Sequence, residues 1–144
     1  MRNGACSGMP ITDAQVHIWS SGTPSVNHRP VPAVSASEML AEMDAAGIDA
    51  AIIHPPGWDP DAESVAAEAR RAHPARFAIL GSFRPDLPEN RGLIRTWLQQ
   101  PGMLGLRWSL LHPDQRIWLD SGAMDWIWPE AERHQVPVAL LAGP

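Results

Sequence analysis

The sequence lacks several features that define common structural classes. It contains one cysteine, Cys6, in 144 residues, so a disulfide framework is excluded and a reducing cytosol is the natural compartment. No apolar run approaches the roughly 18–20 residues that a transmembrane helix needs. Residues 1–10 lack the hydrophobic segment of a secretory signal, and we expect them to form a flexible N-terminal tail.

Blocks of basic residues are also absent. The formal net charge is −5, which argues against nucleic acid or an anionic membrane surface as the main partner. Apolar residues make up 44% of the chain and charged residues 19%, a composition typical of globular rather than disordered proteins. We therefore expect one domain with its own core, covering residues 11–144.

The aromatic composition is unusual, with no tyrosine, two phenylalanines and seven tryptophans. Trp19 and Trp58 lie just past predicted strand ends, where a large aromatic side chain is suited to walling a pocket. Packing between helices and sheet is the alternative interpretation for both residues.

Apolar strands alternate with amphipathic helices along the chain. The predicted strands cover residues 11–18, 49–54, 76–83, 104–110 and 136–142. The predicted helices cover residues 35–46, 59–73, 88–99 and 122–134, and residues 111–120 are predicted as a loop. Ser35 and Glu38 form a capping-box pattern at the start of the first helix, and Gly47 ends it. The strands recur about every 30 residues, the spacing of βαβ crossover units.

The first strand favours a barrel over an open sheet. Asp13, Gln15 and His17 alternate with apolar residues, so the three polar side chains share one face. Such a face would be costly under a covering helix, whereas in a (β/α)8 barrel it would point into the lumen. No glycine-rich phosphate loop follows this strand. We predict an α/β fold of the (β/α)8 TIM-barrel type, with the alternative of a five-stranded flavodoxin-like binding domain in which strand 1 is central.

The barrel prediction implies an incomplete structure. A complete barrel needs about 250 residues, and this sequence provides about the first five βα units. Strands 6 to 8 would be missing, which leaves two unpaired sheet edges. We therefore expect a truncated or split version of a longer protein, which associates with itself or with a complementary chain through these open edges.

Residues 13–17 read Asp-Ala-Gln-Val-His and are followed by Trp19. This segment resembles the Asp-x-His-x-His pattern at the end of the first strand of amidohydrolases. Segments 28–30, 38–40 and 47–49 narrow the resemblance to the amidohydrolase-related (amidohydrolase 2) family of TIM-barrel metal-dependent hydrolases. The resemblance runs from about Ile11 onward and corresponds to the N-terminal part of a family member.

The resemblance implies a hydrolase of small carboxylated esters, lactones or amides, in a family that also includes decarboxylases. It implies a divalent metal, such as zinc, that activates water and polarises a carbonyl group. His17 matches the second metal ligand, but Gln15 stands in the place of the first, and a carboxamide is a weaker zinc ligand than imidazole. The family's ligand histidine on strand 5 and its aspartate on strand 8 have no counterpart here. Some family members work without metal, which leaves a substrate-polarising role for Gln15 and His17.

Three residues of strand 1 are candidate catalytic residues. His17 is central and is also the candidate metal ligand. Gln15 is its neighbour on the same face, with a purely structural hydrogen bond as the alternative. Asp13 lies one layer deeper and is suited to orienting a neighbour or capping a backbone group.

Four further residues are candidates for substrate binding: Arg107, Trp19, Trp58 and His28. Arg107 shares a strand face with Ser109, and its planar guanidinium is suited to clamping a carboxylate. An ion pair with a helix carboxylate is the alternative for Arg107. The expected partner is thus a small carboxylated molecule.

Two functional hypotheses follow from these residues. The first is an amidohydrolase-like hydrolase with its site at the strand ends, inactive as this chain alone. The second is a non-catalytic barrel remnant that at most binds a ligand or a partner chain.

Overall fold

The computed structural model describes residues 9–143. The predicted tail lies largely outside this range, as does Cys6, so the tail stays a prediction. Within the range, five strands alternate with helices: β1 (Thr12–Val16), α1 (Ala36–Ala46), β2 (Ala50–Ile53), α2 (Ala62–Ala72), β3 (Phe77–Gly81), a 3₁₀ helix (Pro88–Gln99), β4 (Met103–Leu110), α3 (Pro113–Asp120), α4 (Ile127–Arg133) and β5 (Val138–Ala142). None of the described helices is both long enough and apolar enough to cross a membrane.

The five strands form one parallel sheet in the order β1-β2-β3-β4-β5, so each strand pairs with its sequence neighbour. The sheet curls into about half of a barrel. In a flavodoxin-like sheet the first strand would lie inside the sheet, whereas β1 is an edge strand here. The predicted incomplete (β/α)8 fold is therefore confirmed, and the flavodoxin-like alternative is wrong.

The core lies between the outer, convex face of the sheet and the helices. Alternate strand residues are buried on this face, among them Val16, Ile53, Ile79, Leu106 and Trp108. One part of the core packs below α1 and α2, and the other below the 3₁₀ helix and α4. Because side chains alternate between the faces of a strand, the residues between these core positions point to the concave face.

The predicted end signals of α1 are confirmed. Ser35 Oγ accepts a hydrogen bond from the backbone N–H of Glu38 at 3.2 Å, and Glu38 Oε2 accepts one from the backbone N–H of Ser35 at 2.8 Å. Gly47 ends the helix with φ of 72°, in the left-handed region that suits glycine. These local signals set where the chain leaves α1 and enters β2.

Two predictions between β4 and β5 are wrong. The predicted loop at residues 111–120 contains α3, which begins at Pro113, where the missing N–H costs no helical bond. The predicted helix at residues 122–134 is helical only over α4. Pro129 lies in the first turn of α4, which is why it neither kinks nor divides the helix.

The segment Pro88–Gln99 is helical over the predicted range, but it is wound as a 3₁₀ helix. Trp97 attaches the C-terminal end of this 3₁₀ helix to β4, since its Nε1 donates to the carbonyl oxygen of Gly105 at 2.8 Å.

We predict that Gly105→Ala weakens the pairing of β4 with β5. A Cβ atom at Gly105 would lie 2.4 Å from the carbonyl oxygen of Pro137, which accepts a hydrogen bond from Leu106. The strain should lower the free energy of unfolding by about 1–3 kcal/mol, measured by chemical denaturation. Gly92→Ala is the control, because a Cβ atom there meets nothing within 4 Å. Equal losses in both variants would contradict the prediction.

Candidate functional site

His17 lies just beyond β1 on the concave side, where both of its ring nitrogens have partners. Nδ1 is 2.7 Å from the backbone oxygen of His54, which only accepts, so Nδ1 carries the proton. Nε2 is 3.1 Å from the amide nitrogen of Gln15, which only donates, so Nε2 accepts from Gln15. Burial lowers the pKa of His17 and outweighs the hydrogen bond to His54, which raises it. The ring is therefore neutral at pH 7, in one fixed tautomer.

His54 lies directly after β2 and is only 8% exposed. Its Nδ1 donates to the backbone oxygen of Leu80 at 3.0 Å. Burial lowers the pKa of His54 to about 4, against the raising effect of the Leu80 hydrogen bond, and the charge of Arg107 lowers it further. His54 is not among the candidates predicted from the sequence, although its position at a strand end was an available signal.

Arg107 is the one candidate cation buried on the concave side. It lies in β4 between the core residues Leu106 and Trp108, so its side chain points away from the helices. The residue is 6% exposed, and burial lowers its pKa. Among residues 9–143, its guanidinium has no hydrogen bond or ion pair, so the alternative of an ion pair with a helix carboxylate is not realised there.

Two of the other candidates pack against His17. The ring centroids of His28 and Trp58 are 4.6 Å apart, and those of His17 and His28 are 4.9 Å apart. Trp58 lies 5.9 Å from His17. Trp19, by contrast, is 4% exposed and belongs to the core, where it packs behind Trp58 at 5.7 Å. His17, His28 and Trp58 thus form one aromatic group at the end of β1.

Asp59 fixes the loop after β1 to the loop after β2. It accepts hydrogen bonds from the backbone and hydroxyl of Ser20, at 2.6 and 3.1 Å, and from the hydroxyl of Ser21 at 3.0 Å. Burial favours a higher pKa, but these bonds and one from the backbone of Asp61 outweigh it and lower the pKa to about 2. The helix predicted from residue 59 begins only at Ala62, as α2.

The same two loops approach closely at Gly22. Its φ is 90°, and a Cβ atom there would lie 2.2 Å from the backbone oxygen of Trp58. Only glycine fits this position without displacing a backbone. Gly22 and Asp59 together hold Trp58 beside His17.

The polar stripe of β1 is only partly gathered together. Gln15 contacts His17, whereas the Asp13 carboxylate accepts a hydrogen bond from the backbone N–H of Gln15 at 2.9 Å. Asp13 and Gln15 are both exposed, because β1 is an edge strand. Asp13 therefore orients the backbone of its neighbour, the contact expected for it, while it faces solvent.

The described residues do not fit the metal site that the sequence resemblance implies. Across residues 9–143, no three His, Cys, Asp or Glu side chains lie close enough together to hold a metal ion. Gln15 already occupies Nε2 of His17, which is the atom that would bind a metal. We therefore assign no chemical step to a metal in this chain.

A well-defined cavity lies away from the concave face. It has a volume of about 1230 Å³ and lies between α2 and the 3₁₀ helix, over Ile79 and beside Trp97. Neither His17, His54 nor Arg107 lines it. The candidate site is therefore the group of strand-end residues, identified by their contacts.

We predict that Asp59→Ala lowers the free energy of unfolding by about 1–3 kcal/mol, because four donors lose a buried acceptor. Since the folded-state pKa of Asp59 lies below its unfolded value, its contribution is present at neutral pH and is lost as the pH falls towards 2. Denaturation at neutral pH and near pH 2 tests this, and the difference between the wild type and Asp59→Ala should shrink in acid. Asp61→Ala, at a neighbouring exposed carboxylate, is the control. A pH-independent difference would contradict the prediction.

Comparisons with known proteins bear on the fold. A probable 2-pyrone-4,6-dicarboxylic acid hydrolase from Acinetobacter baumannii, solved with citric acid bound, is 16% identical, with a TM-score of 0.62 over 94% of this chain and 51% of that chain. A 5-carboxyvanillate decarboxylase from Novosphingobium aromaticivorans, with bound manganese and 3-methoxy-4-hydroxy-5-nitrobenzoic acid, is 20% identical, with a TM-score of 0.67 over 96% and 52%. No family model and no curated protein matches the sequence significantly.

The chain spans about half the length of these solved structures. At such low identity the likeness concerns the fold. Both similar structures belong to the amidohydrolase 2 family of TIM-barrel enzymes, so the resemblance drawn from the sequence is confirmed at the level of the fold. The chain has the fold of about half of a TIM barrel.

Proposed function

We propose that the strand ends of this chain form the carboxylate-binding part of an amidohydrolase-like site that hydrolyses small carboxylated esters, lactones or amides. The observation that carries the proposal is Arg107, a buried guanidinium without a counter-charge among the described residues. A buried charge is costly unless it is paired, and a carboxylate matches the guanidinium with two parallel hydrogen bonds. Binding of such an anion would offset the free-energy cost of burying the guanidinium.

Turnover is proposed for a complete barrel rather than for this chain alone. Residues 12–15 of β1 are exposed, and Leu140 and Leu141 of β5 are 44% and 38% exposed. These edges are suited to pairing with a second copy or with a complementary chain that supplies further strands. The proposed compartment is the cytosol, since the sequence has a single cysteine.

Gln15 and His17 are proposed to polarise the scissile carbonyl without a metal. Gln15 donates one amide hydrogen to Nε2 of His17, which leaves its second amide hydrogen for a substrate oxygen. The hydrogen bond from His17 Nδ1 to the backbone oxygen of His54 leaves Nε2 as the acceptor atom of the ring. The Asp13 carboxylate holds the backbone N–H of Gln15. His28 and Trp58 would then lie against the apolar body of the substrate.

The ligands of the similar structures agree with a carboxylate site. Citric acid is bound in the Acinetobacter protein, and a nitrobenzoic acid in the Novosphingobium protein. Both ligands carry a carboxylic acid group. They support the class of ligand that we propose here for Arg107.

One observation favours the second function, a non-catalytic ligand-binding remnant. The lone pair of His17 that would accept a proton from water is already used by Gln15. A bound substrate would have to displace that hydrogen bond before His17 could act as a base. In this case the carboxylate would still bind at Arg107, but without hydrolysis.

We predict that Arg107→Gln weakens citrate binding by about 10- to 100-fold in isothermal titration calorimetry, because it removes a charged hydrogen-bonding partner. Arg84→Gln is the matched control, since Arg84 already pairs with Asp86 at 2.5 Å and its side chain is 62% exposed. We expect this variant to bind citrate as the wild type does. Equal binding by Arg107→Gln and the wild type would rule out Arg107 as the carboxylate clamp.

We also predict that Gln15→His raises the affinity for zinc. The substitution puts two imidazoles two residues apart on one strand face, whereas the wild type offers a single imidazole and a carboxamide. Competition with a chromophoric chelator measures the affinity, and Gln15→Ala is the control that removes the amide without adding a ligand. Zinc affinity in Gln15→His no higher than in the wild type would refute the prediction.

A further inference from the structure

The hydrogen bonds at the strand ends leave one acceptor unused beside Arg107. Both ring nitrogens of His17 are engaged, by His54 and by Gln15. In His54, Nδ1 donates to Leu80, so the lone pair of the neutral ring lies on Nε2. That atom has no partner among the described residues.

The backbone register brings this acceptor towards Arg107. The bond from Nδ1 to Leu80 directs the ring of His54 across β3. Leu80 pairs with Gly105 of β4, and Gly81 pairs with Leu106, so Arg107 is the next residue along β4. The two side chains are only 8% and 6% exposed, so a ligand that reaches them meets both groups largely desolvated.

We propose that His54 is a specificity-determining residue, whose Nε2 accepts a hydrogen bond from a hydroxyl group next to the carboxylate that Arg107 binds. The proposal rests on the carboxylate site proposed above and narrows its ligands to hydroxy acids. A hydroxyl fits better than an ammonium group, because the neighbouring guanidinium repels a second cation.

The preference arises mainly from rejection of the wrong ligand. A carboxylate without a hydroxyl would cover Nε2 and leave it without either water or a partner. A buried acceptor that loses its hydrogen bond costs more than a good hydrogen bond gains. Sites built around a ligand hydroxyl therefore discriminate strongly against analogues that lack it.

Citrate and tricarballylate, which differ by one hydroxyl group, test the proposal in titration calorimetry. We expect the wild type to bind citrate about 5- to 10-fold more tightly than tricarballylate. His54→Asn keeps a donor at the position of Nδ1 but has no atom at the position of Nε2, so it should bind both ligands equally. His54→Gln supplies an oxygen near the position of Nε2 and should regain part of the preference for citrate.

The outcomes separate this inference from the proposed function. One outcome is that the wild type binds both ligands with equal affinity and that Arg107→Gln binds neither. This result would support the carboxylate site and overturn the role of His54. An unchanged citrate preference in His54→Asn would also overturn it. Binding of tricarballylate by His54→Asn shows that this variant is folded, so its loss of preference would support the proposal. Failure of the wild type to bind either ligand would overturn both proposals.

Discussion

The concave side of this sheet depends on two hydrogen bonds from imidazoles to backbone carbonyls. His17 donates to His54, and His54 donates to Leu80, so the carboxyl ends of β1, β2 and β3 are joined in series. Both acceptors are carbonyls, which fixes the proton of each ring on Nδ1 and its lone pair on Nε2. The direction of these two bonds determines which atoms remain for a ligand.

Arg107 contributes the positive charge of this arrangement. Two neutral rings nearby do not compensate a guanidinium, and its own strand neighbours, Leu106 and Trp108, are core residues. The free energy lost by burying an unpaired cation is recoverable when an anion binds. An uncompensated charge in a well-packed strand is thus better explained by a ligand than by the stability of the fold, which an apolar residue would serve better.

The fold and part of the site could be predicted, because they depend on local patterns. Alternation along β1 and β4 correctly predicts that His17 and Arg107 lie opposite the core. α3 was missed because none of its residues is buried, and Ile117 is 57% exposed, so its apolar residues mark no inner face. Asp59 and His54 act through contacts to Ser20 and Leu80, in loops or strands distant in sequence, and local periodicity does not reveal such contacts.

The polar and the aromatic residues of the proposed site lie on different parts of the fold. His54 and Arg107 project from strands or strand ends within the sheet, so their separation is set by backbone pairing. His28 lies on the long loop after β1, which is held from outside by the ion pair of Arg29 with Glu42 and from inside by Asp59. Changes in that loop would move His28 without moving His54 and Arg107. Under the proposed function, the sheet therefore selects the polar end of a ligand, and the loop after β1 contacts its apolar body.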